Sequence, residues 1–263
     1  MGESHCQSWR DRKYGRISGA SIELGLAFYD QVAELRSGFS PSESREGYRR
    51  LVRYISSIPN WAHFYTKQFS ELLLLIIGGA GLSDIVREAA KDANPQKAFI
   101  DAAGTLSMDR ELPNSVMSAM FAMVGNMEAI GRYSMSINDM LRLAAERSDP
   151  QLIRQAISID AYVLTLPVVI SQLRIGQLSG DMSGLDVFTS GLRGPDKRRS
   201  VYTKLRWLEY LLREMGAFET CTETEIHDLV VHRLRLYDDD TKLGDSKKAL
   251  AALFRKWQKS VGN

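Results

Sequence analysis

Residues 139–167 read DMLRLAAERSDPQLIRQAISIDAYVLTLP, and this stretch decides the fold. Asp149 followed by Pro150 is a helix start. The carboxylate caps the first backbone N–H groups, and proline at the first helical position gives up a donor that has no partner inside the helix. Pro167 follows 17 residues later, and the same punctuation spreads outward: Ser40-Pro41 with Pro59 and Asn94-Pro95 with Pro113 are pairs 18 residues apart. The pairs recur every 54 or 55 residues, and Pro195 alone stands outside them. Asp84–Gln96 also matches Asp139–Gln151 in register at Asp, Arg, Ala, Ala, Pro and Gln. An ancestral helical repeat and common helix punctuation both account for that echo. No segment sustains the alternation of a strand. The chain is therefore expected to be all-α, with two helical lobes and an N-terminal arm.

The expected organisation is an arm and amphipathic helix at 1–38, an N-terminal helical lobe at 39–175, a Gly-rich hinge or loop at 176–196, and a basic C-terminal helical lobe at 197–263. Within the first segment Ile22, Leu26, Tyr29, Val32 and Leu35 recur at helical spacing, and Gly38 ends the run. Ser40 and Glu43 form a capping box for a helix to about residue 58. Trp61, Phe64, Tyr65, Phe69, Leu72, Leu73, Ile76 and Ile77 trace one apolar stripe, which Gly78, Gly79 and Gly81 break. Met117, Met120, Met123 and Met127 read as adaptable core. Gly176, Gly180, Gly184, Gly191 and Gly194 mark the hinge. Leu205, Leu208, Leu211 and Leu212 mark a further helix up to Gly216. Thr222 with Glu225 caps another, through about Tyr237, and Ser246 opens the last.

The 263 residues suffice for a buried core, and 44% hydrophobic with 25% charged residues is an ordinary globular balance. Cys6 and Cys221 are too few for a disulfide framework, and no apolar leader opens the chain, so a cytoplasmic setting is expected. The longest apolar run, Leu72 to Leu82, is short for a bilayer, which makes a membrane partner unexpected. Net charge is +2 and unevenly spread: 9 basic against 7 acidic residues over 1–58, 10 against 14 over 59–192, and 15 against 11 over 193–263. Basic ends around an acidic middle suit a polyanionic partner or a solvated surface.

Chemistry-bearing patterns are sparse. His227 and His232 lie five apart, which places them on different faces of an α-helix, and Cys221 nearby does not complete a metal site. Asp238, Asp239, Asp240 and Asp245 lack the glycine and terminal glutamate of a calcium loop. Gly78-Gly79-Ala80-Gly81 lacks the lysine of a phosphate loop, and no nucleophile elbow occurs. Gly2 and Cys6 with Arg10, Arg12, Lys13 and Arg16 make a partial lipidation pattern without the usual hydroxyl residue at position 6. No catalytic residue, cofactor or metal is expected, and the protein reads as a non-enzyme.

The densest basic cluster is Lys197, Arg198 and Arg199 with Lys204 and Arg206, interleaved with Tyr202 and Trp207. Cations beside aromatic faces suit a phosphate backbone and unstacked bases. Arg87, Lys91 and Lys97 form a second group around Asn94-Pro95.

The order of features then resembles a known family. An arm and short helix lead to Gly38-Phe39, Trp61 precedes an apolar helix ending in glycines, a small- and methionine-rich helix occupies 116–130, and a basic helix near 198–215 ends at Gly216. This order is similar to that of nucleoproteins of phlebovirus and tenuivirus type, over about residues 20–218. The resemblance implies an all-α, two-lobed protein that coats single-stranded RNA without base specificity, in the host cytoplasm and the virion. Where the family has a basic turn after the apolar helix, Gly78–Asp84 is neutral to acidic. Arg198 and Arg199 match the family's basic helix by position. Homo-oligomers are expected through exchange of the arm, with Ile22, Leu26, Phe28, Tyr29, Val32 and Leu35 in a neighbour's groove. Two other readings stand beside this one: a helical-repeat adaptor or scaffold binding proteins, and a lipid-anchored matrix-like protein.

Overall fold

Asp149 caps as its sequence demands: Oδ1 accepts from the Gln151 backbone N–H at 2.9 Å, and Pro150 opens a helix. The computed structural model describes residues 8–38, 60–92, 95–104, 113–180, 183–195, 202–237 and 245–262. Along them run a two-strand hairpin, β1 (Lys13–Tyr14) and β2 (Ile17–Ser18), then α1 (Gly19–Gly38), α2 (Phe69–Gly79), α3 (Ser83–Ala89), α4 (Pro95–Gly104) and α5 (Asn114–Tyr133). Next come α6 (Ile137–Arg147), α7 (Pro150–Ile159), α8 (Pro167–Ser179), α9 (Ser183–Gly191) and α10 (Thr203–Glu214). The chain ends on α11 (Ala217–Thr220), α12 (Glu223–His227), a π-helical stretch (Asp228–Arg233) and α13 (Ser246–Gly262). The fold is all-α, and the hairpin is the only strand pair among the described residues. The helix expected from Ser40 to about residue 58 lies outside them.

The chain divides into two compact units whose boundaries differ from the expected lobes. One comprises residues 1–36, 129–135 and 197–263, the other 37–128 and 136–196. In the first unit α10 is buried nearly all round, with Leu205, Trp207, Leu208 and Leu212 at 1% exposure or less. Tyr14, Ile22 and Leu26 join that core, as do Leu250, Phe254 and Trp257, which lie at i, i+4 and i+7 on α13. The hairpin is tied down, because the Arg16 N–H donates to the Met215 carbonyl at 2.8 Å. Residues from Ser8 onward are thus part of a folded unit and not a free arm.

In the second unit Ser136 and Asp139 build a capping box for α6, with the Asp139 N–H donating to Ser136 Oγ at 3.0 Å. α6 and α7 pack against each other, and Ile137, Met140, Ile153 and Ile157 on them are each at 4% exposure or less. The stripe that begins at Trp61 does not form one helix: a 3-10 turn covers Ala62–Thr66, and α2 starts afresh at Phe69. Asp160 explains the turn. Its Oδ2 accepts from Trp61 Nε1 and from the Tyr65 hydroxyl, both at 2.6 Å. Gly125 gives the Tyr65 ring its space, since a Cβ there would lie 2.2 Å from the hydroxyl. Of the methionine stripe, Met123 and Met127 are core and Met120 faces outward.

The expected hinge at 176–196 is largely helical, being the end of α8 and all of α9. Its glycines mislead because one of them serves packing. A Cβ on Gly191 would stand 2.8 Å from the Arg154 carbonyl, so α9 lies close against α7 only without a side chain there.

Candidate nucleic-acid interface

Lys197, Arg198 and Arg199, the heart of the expected basic cluster, lie outside the described residues. Lys204 is exposed and donates to Asp30 Oδ2 at 2.7 Å. Arg206 is only 9% exposed. Its guanidinium lies 5.2 Å from the centre of the Trp257 ring and donates to the Gly131 carbonyl at 3.2 Å. That cation is spent on the unit's interior. α10 is central in its unit and buries Arg206 and Glu209 with partners, while Lys204 on the same helix stays exposed.

Glu209 is the other buried charge on α10, at 0% exposure, and accepts from Arg213 Nη1 at 3.1 and 3.2 Å. Arg213 also donates to the Ser134 carbonyl at 2.9 Å. Burial outweighs the guanidinium and pushes the Glu209 carboxyl up to about 7. The folded state therefore holds this proton more tightly than the unfolded chain. Its stabilising contribution is complete below about 4.5 and is lost as pH rises through about 7. Glu209→Gln is expected to remove this slope. Urea unfolding between pH 4.5 and 8 should show wild type losing on the order of 3 kcal/mol relative to the variant. Parallel profiles would mean that Arg213 keeps Glu209 ionised throughout.

The second basic group is charge-balanced on its own helices. Arg87 pairs with Asp84 at 2.8 Å, Lys91 with Glu88 at 2.7 Å and Lys97 with Asp101 at 3.4 Å, all highly exposed. Such pairs contribute little to stability and leave little net field. They also sit in the second unit, which carries 14 basic against 17 acidic residues, while the first carries 20 against 15. Positive charge is concentrated in the first unit.

Within that unit α13 stands apart. It contains Lys247, Lys248, Arg255, Lys256 and Lys259 and no acidic residue. Leu250, Phe254 and Trp257 fix its apolar side inward, so Lys248, Arg255, Lys256 and Lys259 are exposed on the other side. Lys248 reaches Asp245 at 3.3 Å and Arg255 contacts Glu223. Lys256 and Lys259 have no partner among the described residues. The absence of acid over one helix was readable in the sequence, but density of charge drew attention to 197–206 instead.

A small groove of about 200 Å³ runs beside α13, lined by Phe218, Ile226, Leu250 and Phe254 with Glu223 and Lys247 at its rim. In the second unit a groove of about 540 Å³ lies along α8 and α9.

The histidines are closer than an α-helix allows. His227 and His232 have ring centres 5.5 Å apart, because the π-helical winding bonds i to i+5 and so brings those positions together. His227 Nε2 also lies 2.9 Å from Ser246 Oγ. Among the described residues no group of three or more His, Cys, Asp or Glu converges on a metal-sized site. Ile22 and Leu26, expected in a neighbour's groove, are 0% and 8% exposed in their own unit, and the Tyr29 ring lies tilted against Trp207 with centres 5.7 Å apart. Phe28 is half-buried, and the Val32 and Leu35 side chains lie outside the described residues. No single helix is long and apolar enough to cross a membrane among the described residues.

No protein-family model, curated protein or solved structure matches the chain.

Proposed function

We propose that this chain is a non-enzymatic RNA-binding protein that self-assembles on single-stranded RNA and holds its phosphates without reading bases. The observation that carries the reading is the acid-free cationic side of α13, in the unit that concentrates the protein's positive charge. Lys256 and Lys259 offer ammonium groups not neutralised within the described residues, while Lys248 and Arg255 on the same side are paired with Asp245 and Glu223. Cations ranged along one helix suit a backbone of repeated phosphates, and each contact gains from counterion release. The order of features shared with phlebovirus- and tenuivirus-type nucleoproteins supports the same class of partner. Lys197, Arg198 and Arg199 belong to the same unit and add to its charge.

The test begins with absorbance at 260 and 280 nm and the size distribution of freshly purified protein. Co-purified RNA in large particles supports coating, whereas a nucleic-acid-free monomer favours a protein-binding adaptor. Replacing Lys248, Lys256 and Lys259 by Ala is then expected to reduce the log–log salt slope of RNA binding by about 2. Far-UV circular dichroism should not change, since all three are exposed. An unchanged slope excludes α13 as the phosphate contact. Arg198→Ala with Arg199→Ala then tests the cluster at 197–199 in the same assay.

A further inference from the structure

The second unit leaves an apolar surface open on α8, α9 and the turn that follows α9. Leu178 is 90% exposed, Ile175 61%, Leu192 53% and Leu185 38%. Beside them runs the groove of about 540 Å³, whose walls include Ile153, Ile170, Leu173, Leu185 and Phe188. Protruding aliphatic side chains next to an apolar groove make a surface that is both donor and acceptor of the same contact. Monomeric proteins rarely leave such a surface uncovered.

Charge identifies what covers it. Arg174 is the one charged residue in α8 and Asp186 the one charged residue in α9. Both are exposed, and neither has a partner among the described residues. α8 and α9 thus carry one cation and one anion between them, each unanswered within the described residues, and Asp149 adds a carboxylate to the groove wall. An anionic membrane or a strongly charged peptide would meet both attractive and repulsive groups here. A second copy of the same surface meets both with their complements, because a two-fold axis places residue i against j and j against i.

We propose that α8 and α9 form an isologous two-fold interface with the same helices of a second copy. Leu178 of each copy enters the groove of the other, whose wall includes Ile175, and Arg174 of each faces Asp186 of the other. The interface does not rest on RNA binding, and it is separate from any exchange of α1.

Nuclease-treated full-length protein is examined by sedimentation velocity over a range of concentrations. Wild type is expected to show a monomer–dimer equilibrium. Leu178→Glu should weaken it roughly 30-fold or more, since a charge replaces an aliphatic anchor at the centre of the contact. Arg174→Glu and Asp186→Arg alone should each weaken it roughly 10-fold, because each sets like charges against one another twice. The two changes together should restore dimerisation to near the wild-type level. These residues are exposed, so circular dichroism is expected to remain native in every variant. A wild-type monomer at all concentrations overturns the proposal, as a foreign protein or a small ligand would then be what covers the groove. Dimers indifferent to Leu178→Glu also overturn it, and so does a charge-swapped double variant no better than the single ones.

Discussion

Removal of residues 1–37 is expected to abolish cooperative folding of the unit that contains α10 and α13. Tyr14, Ile22 and Leu26 are 1%, 0% and 8% exposed there. Burying each is worth about 1.5–3 kcal/mol, so the deletion removes a sum comparable with the whole stability of a typical domain, about 5–15 kcal/mol. It also uncovers the Trp207 ring against Tyr29 and orphans the Trp207 indole N–H, which donates to the Gly25 carbonyl at 3.2 Å. Circular dichroism of the truncated chain should show lost helix, and hydrogen exchange should show α10 unprotected. Ile22→Ala is the milder version, at about 2–5 kcal/mol. A truncated chain that stays folded and monomeric would favour the exchange arrangement instead. In that arrangement Ile22 and Leu26 leave their own unit and occupy the equivalent site in another copy.

Local signals carried much of the fold. Asp149-Pro150 and Thr222 with Glu225 form the caps their spacing implies, since a capping bond needs only a side chain and a backbone group a few residues away. The stripe of α1 is legible for the same reason. Long-range choices are less so. Asp160 splits the Trp61 stripe into a 3-10 turn and a separate helix through bonds spanning 99 and 95 residues, and periodicity cannot register such partners. Gly191 looks like a hinge until the Arg154 carbonyl appears beside it.

The site was harder to read, because charge in sequence does not say which charges are already answered. Arg206 lies in the richest basic stretch, yet it packs under Trp257 and bonds a carbonyl 75 residues away. Arg87 and Lys91 have carboxylates three residues earlier, a pairing the helix period does predict, so their neutrality was available from spacing alone. The same bookkeeping singles out α13, where no acid stands within the helix at any spacing. Subtracting local pairs leaves Lys247, Arg255, Lys256 and Lys259 in the last helix beside Lys197, Arg198 and Lys204, so α13 was available from spacing as a second basic candidate. The close approach of His227 and His232 was not available, because π winding inverts the rule that residues five apart diverge.

Asp160→Ala is expected to have the largest effect of any single substitution in the second unit. One carboxylate oxygen accepts from Trp61 Nε1 and the Tyr65 hydroxyl at 2.6 Å, and the other accepts from the Tyr162 N–H at 2.9 Å. Tyr65 is 0% exposed and Trp61 7%, so neither donor can turn to water once the carboxylate is gone. A buried donor left unpaired costs about 1–3 kcal/mol, and two donors with a lost cap make about 3–5 kcal/mol. Burial and the adjacent carboxylate both hold the Tyr65 hydroxyl well above its ordinary titration range, so it remains a donor at any working pH. The urea midpoint should fall accordingly, and the change should be smaller for Asp160→Asn, whose amide oxygen still accepts. Tyr65→Phe removes one donor in advance. Asp160→Ala should therefore cost at least about 1 kcal/mol less in that background than in wild type. Equal costs in the two backgrounds would mean that the carboxylate acts through the Tyr162 cap alone, leaving the aromatic pair held by packing.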